Sequence, residues 1–153
     1  MGLLFTFTKI YHCSNVWQWV VNMYSMQKYL LIAACILGAV AVAAGALGSH
    51  ALERHLSTRH LDVYHTAVRY LFYHIFAIAL AVFIAEKTAG SLALYGGISF
   101  LVGILLFCGS LFLLSTPEIT GISWRWLGPV TPVGGLAFIV GWVLLVGALF
   151  SWK

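Results

Sequence analysis

Four long apolar stretches, separated by short polar breaks, organise this chain. They run roughly from Tyr29 to Leu47, Thr66 to Ala85, Leu92 to Leu114 and Pro132 to Trp152. None alternates polar and apolar positions at period two, so each reads as a helix and not as a barrel strand. About 20 apolar residues suffice to cross the hydrocarbon core, and the fourth stretch, about 21 residues, would be about 31 Å long at 1.5 Å per residue. Lipid offers the backbone no hydrogen bonds, so such runs must satisfy their own amides. The pattern predicts an all-α membrane protein: a compact four-transmembrane-helix bundle with a short amphipathic interfacial segment between helices 1 and 2.

The breaks carry nearly all the polarity. Ser49 to His65 holds His50, Glu53, Arg54, His55, Arg59, His60, Asp62 and His65. Leu52, Leu56 and Leu61 are spaced for one side of a short amphipathic helix. Glu86-Lys87 ends the second span, and Ser115-Thr116-Pro117-Glu118 closes the third. Trp124, Arg125 and Trp126 form a belt-like interfacial cluster. Thr131-Pro132 reads as an N-cap followed by proline at the first helical position. Residues 1–25 differ: they mix Tyr11, Trp17 and Trp19 with Lys9, Asn15, Gln18 and Asn22 and contain no run long enough to span. Met26-Gln27-Lys28 looks like a natural bacterial start, which makes 26–153 the single domain and 1–25 an overlong gene start; the alternative is an interfacial aromatic segment.

Composition agrees with lipid as the folding medium. The chain is 62% hydrophobic and 8% charged, where soluble domains carry about a quarter charged residues. Its net charge of +4 comes from 8 Lys+Arg against 4 Asp+Glu, but the cations are scattered singly at span ends. They read as interfacial anchors, and no nucleic-acid partner is expected. Lys28, Lys87 and Lys153 on the terminal side against Arg54, Arg59, Arg69 and Arg125 on the other give no orientation. Three cysteines without a Cys-x-x-Cys pattern suggest neither zinc nor a redox pair. The pairs Ala41-xxx-Gly45 and Ala44-xxx-Gly48, and the glycine pairs Gly38/Gly45 and Gly134/Gly141 seven residues apart, favour helices packed backbone to backbone.

Few residues in the spans have chemistry of their own. His74 lies about two turns into the second span, and an ionisable group at that depth is a functional hypothesis by default. One reading makes it a neutral imidazole bonded to another helix through Ser110, Ser99 or Thr131; the other makes it a proton or ligand site. Arg69 is placed to snorkel or to pair with Glu53 or Asp62. The five-residue spacing of His50, His55, His60 and His65 turns successive rings by about 140° on a helix, which speaks against a metal comb. A haem held by His50 and His74 would need ligands at matching depths. The polar positions singled out are therefore His50, Arg69, His74, Ser110 and Thr131. No catalytic set, metal or cofactor is expected, and the chain reads as not an enzyme.

Four motifs occur in order. Gly45-Ala46-Leu47-Gly48 precedes His50-Ala51-Leu52. Thr66-Ala67-Val68-Arg69-Tyr70 precedes Tyr73-His74. A third runs from Gly103 through Cys108-Gly109-Ser110, and the fourth is Leu127-Gly128-Pro129-Val130-Thr131-Pro132 followed by Val133-Gly134-Gly135-Leu136-Ala137-Phe138. Together they resemble the YgdD-like family of small four-helix inner-membrane proteins, a domain of unknown function. Leu71 stands where many members carry Gln, and Cys108 where many carry Ser. The resemblance implies the four-helix architecture and a bacterial inner-membrane location, and supplies no substrate, cofactor or catalytic residue. Two functions remain open: a structural or accessory component that packs in the lipid bilayer with itself or with other membrane proteins, or a small-solute or proton pathway using His74 and Arg69.

Overall fold

The structure, a computed structural model, describes the backbone of residues 2–88 and 90–152 and, within those ranges, the side chains from Val21 onward. Four helices dominate: α1 (Gly2–His50), α2 (Thr58–Thr88), α3 (Leu92–Leu114) and α4 (Val130–Leu149). All four contain segments long and apolar enough to cross a membrane. A 3₁₀ turn (Leu52–Arg54) follows α1, and a short helical turn (Pro117–Thr120) and a second 3₁₀ turn (Arg125–Leu127) join α3 to α4.

α2 is the central helix. Its most apolar window is 56% buried, against 22% for α1, although it is the least apolar of the four. Ala67, Ala77 and Ala81 are fully buried or nearly so and let neighbouring helices close on α2. Without a hydrophobic drive between helices in lipid, such close approach is what holds a bundle together.

The α3–α4 contact is the tightest. Along α3, Gly96, Phe100, Gly103, Phe107 and Ser110 recur at alternating four- and three-residue steps; along α4, Thr131, Gly134, Phe138, Gly141 and Leu145 do the same. The helices run antiparallel, and large meets small at every step. Phe100 lies against Gly141, Phe138 against Gly103, and Phe107 against Gly134. A Cβ on Gly103 or Gly141 would strike the facing ring, and one on Gly134 would strike the backbone of Phe107. At one end the seam closes with a 2.7 Å hydrogen bond between the Ser110 and Thr131 hydroxyls. This is seven-residue periodicity with glycine as the hole and phenylalanine as the knob. The Gly134/Gly141 stripe seen in the sequence lines this seam.

The α1 stripe behaves differently. A Cβ on Gly38 would meet nothing within 4 Å, and one on Gly45 only a Val68 methyl at 3.8 Å, so neither glycine is a close-approach point. Gly48 is: Tyr64 Cε1 lies 2.9 Å from where its Cβ would be. The buried Tyr64 ring covers that position and donates its hydroxyl to the Ala44 carbonyl at 2.9 Å. Ala44-xxx-Gly48 thus receives a tyrosine from α2, not bare backbone.

Several boundaries differ from the apolar stretches. The first stretch, Tyr29 to Leu47, lies within the longer helix α1, which starts at Gly2; an apolar run marks where a helix suits lipid, not where it starts. The interfacial aromatic cluster expected before residue 21 lies outside the described side chains. Between helices 1 and 2 there is one 3₁₀ turn, and Thr58 to His65 are the first turns of α2 itself. Leu56 is buried, which anchors that turn. α3 has the expected ends but contains a π-helical turn at Ile104–Cys108, flanked by Gly103 and Gly109. α4 starts at Val130, with Pro129 at its N-cap. Thr131 is therefore inside the helix, its hydroxyl used by Ser110 and not as a cap. Leu71 and Cys108, the two departures from the family pattern, are both core residues.

Candidate functional site

His74 sits where α2, α3 and α4 meet, 5% exposed. Its Nδ1 is 2.8 Å from the Tyr70 carbonyl oxygen one turn earlier on the same helix. A carbonyl only accepts, so Nδ1 carries the proton and Nε2 the lone pair. The expected bond to Ser110, Ser99 or Thr131 is absent among the described residues. Ser110 and Thr131 bond each other, and the Ser99 hydroxyl donates to the Ala137 carbonyl at 2.7 Å. Helix geometry gives the reason: the turn preceding His74 already presents an acceptor, and such local bonds form without any help from packing.

The ring is enclosed by aromatics. Phe138 stacks on it with centroids 3.4 Å apart and planes 10° from parallel. Tyr70, Phe100 and Trp142 surround it at 6.0, 5.6 and 6.4 Å. Face-to-face overlap is less favourable than an offset arrangement, so Phe138 is held there by its seat on Gly103, not by ring attraction. Phe107, within the π turn, packs on Tyr70 at 4.7 Å and on Phe138 at 5.5 Å. The enclosure is apolar on every side that these rings cover, which suits a fixed neutral imidazole.

The other candidates lie elsewhere. Arg69 is exposed and donates to the Thr66 hydroxyl at 3.1 Å. Among the described residues it makes no ion pair with Glu53 or Asp62. Five residues of α-helix separate Arg69 from His74, which turns them about 140° apart, so the structure does not bring the proposed pathway pair together. His50 is the exposed last residue of α1. No group of three or more His, Cys, Asp or Glu converges among the described residues.

Sequence reasoning missed a clamp at the end of the bundle where α1 finishes. Glu118 Oε2 accepts the Ser57 backbone N–H at 2.7 Å, and its Oε1 lies 2.9 Å from His60 Nδ1. Ser57 immediately precedes α2, so this carboxylate occupies one of the unpaired amides at that helix start. The Ser57 amide first, and then the His60 side chain, hold the Glu118 carboxyl below the usual glutamate range. A lowered folded-state value means the clamp contributes at pH above the ordinary glutamate range and is lost as pH falls through the folded value. Thermal unfolding in detergent between pH 7 and pH 3 checks this. Wild type is expected to lead Glu118→Gln at neutral pH, and the lead is expected to vanish at the acid end.

Residues 44–135 match the family model described as protein of unknown function (DUF423). The chain belongs to this family. The match covers the Tyr64–Ala44 bond, the Glu118 clamp, His74 and the Ser110–Thr131 pair, and stops three residues before Phe138. No curated protein and no solved structure matches the chain.

Proposed function

We propose that this protein is a non-catalytic accessory component of a membrane assembly, joined through the outer face of α1, with self-association as the simplest form, and that it resides in a bacterial inner membrane. The observation that carries the reading is a stripe of small exposed residues on α1. Cys35, Ala39, Ala43 and Ala46 all face away from the bundle, on the helix with the smallest buried share. Small side chains at four- and three-residue steps let a second helix approach closely. The interior supports the same view. The hydroxyls of Ser99, Ser110 and Thr131 and the imidazole Nδ1 of His74 are all engaged within the bundle. Continuous apolar helices suit an inner membrane better than an outer one, whose spanning proteins are barrels.

Native mass spectrometry of the protein gently extracted from its own membrane tests the reading. An assembly heavier than one chain with its lipids is expected, reduced to single chains when Ala39→Leu and Ala43→Leu are combined. A wild-type protein released only as single chains, or an assembly indifferent to both substitutions, would overturn it.

A further inference from the structure

A cavity of about 440 Å³ opens at the end of the bundle near the Glu118 clamp, lined by Arg59, His60 and Val63 of α2, Leu111 and Leu114 of α3, and Pro117, Ser123, Trp124 and Arg125 of the connection to α4. Its chemistry is one-sided. Arg59 and Arg125 supply fixed positive charge, and guanidinium groups can only donate. Among the described residues neither meets a carboxylate. The Trp124 ring adds an aromatic wall beside them. The nearby carboxylate, Glu118, is turned to the Ser57 amide and to His60, and among the described residues it forms no ion pair with either arginine.

We propose that this cavity binds the phosphate of an anionic phospholipid headgroup. Phosphate oxygens accept from both guanidinium groups, and arginine matches phosphate geometry particularly well. The remaining wall decides between lipid and free anion: Val63, Leu111, Leu114 and Pro117 form an apolar side that suits a glycerol backbone and the first acyl methylenes. The site lies at an end of the spanning helices, where headgroups are found, and basic pockets between spanning helices are established as lipid headgroup sites in general. It is separate from the α1 face and stands whether or not the chain associates.

The test is lipid retention in native mass spectrometry, with purified protein in mild detergent offered phosphatidylglycerol and phosphatidylcholine in equal amounts. Wild type is expected to retain phosphatidylglycerol about tenfold over phosphatidylcholine. Arg59→Gln combined with Arg125→Gln is expected to bring that ratio to near one. Arg54→Gln, an exposed arginine outside the cavity, is the control and is expected to leave it unchanged. Equal retention of both lipids by wild type, or a preference indifferent to the double substitution, would overturn the proposal. Inorganic phosphate at millimolar concentration forms the second arm. No displacement of phosphatidylglycerol is expected; full displacement would make the site one for a free anion and overturn its assignment to lipid.

Discussion

Gly134→Val is expected to cost about 3 kcal/mol or more of bundle stability, at the upper end of what overpacking a filled core does. A Cβ at this position falls onto the backbone N and Cα of Phe107. A side chain can rotate away, but a helix backbone cannot, so α3 and α4 must separate along the whole seam. The separation would also pull Phe138 from its seat on Gly103 and stretch the Ser110–Thr131 bond. Gly38→Ala is the matched control, because a Cβ there meets nothing within 4 Å. Its expected effect lies between zero and a gain of about 1 kcal/mol from helix propensity. Unfolding in mixed detergent, followed by circular dichroism, separates the two cases. Equal sensitivity at both positions would show that the Gly134–Phe107 contact does not hold the bundle.

The second large effect concerns His74, where two substitutions divide packing from chemistry. His74→Ala empties the centre of the aromatic enclosure and is expected to cost about 3 kcal/mol, as loss of a buried ring does. His74→Phe restores a ring between Phe138 and Phe100 and loses only the bond to the Tyr70 carbonyl. That bond is worth about 1 kcal/mol net, and the Tyr70 oxygen still has its helical partner. A packing role therefore requires His74→Phe to stand close to wild type in stability and to assemble normally. A pathway role requires it to abolish transport although it folds. Proton flux in proteoliposomes measures the second outcome directly. The expected result is that wild type and His74→Phe both match empty vesicles.

Much of the architecture was legible because lipid imposes a simple rule: apolar runs of sufficient length become helices. The ends of α3 at Leu92 and Leu114 followed from that rule alone. Polar signals were read less well, because a hydroxyl has several local uses. Thr131 beside a proline looks like a cap, yet the seam with α3 claims its hydroxyl. The turn after α1 looked like an amphipathic helix because leucines recur there; in the fold Leu56 anchors a turn, and α2 already begins at Thr58. For His74, its place on the second helix was legible, but its partner was not, since the choice between Ser110, Ser99, Thr131 and its own helix depends on tertiary register.

Other features left signals that went unused. The alternation of Phe100, Gly103 and Phe107 with Gly134, Phe138 and Gly141 is visible in the sequence as two facing seven-residue patterns. The same 140° arithmetic that argues against a histidine comb also separates Arg69 from His74. The Glu118 clamp is different in kind. It joins residues 61 positions apart, and no local pattern announces a carboxylate that reaches across the bundle end to the start of another helix.

The central claim is that the middle of the bundle is closed and dry around His74. Solid-state nuclear magnetic resonance of the protein in lipid bilayers, with the histidine and phenylalanine rings labelled and magnetisation transferred from water, tests it most directly. The account expects ring-to-ring contact between His74 and Phe138 and no transfer from water to the imidazole. Strong water transfer to the His74 Nε2 would contradict it and would place an aqueous path where the structure has three interlocked phenylalanines.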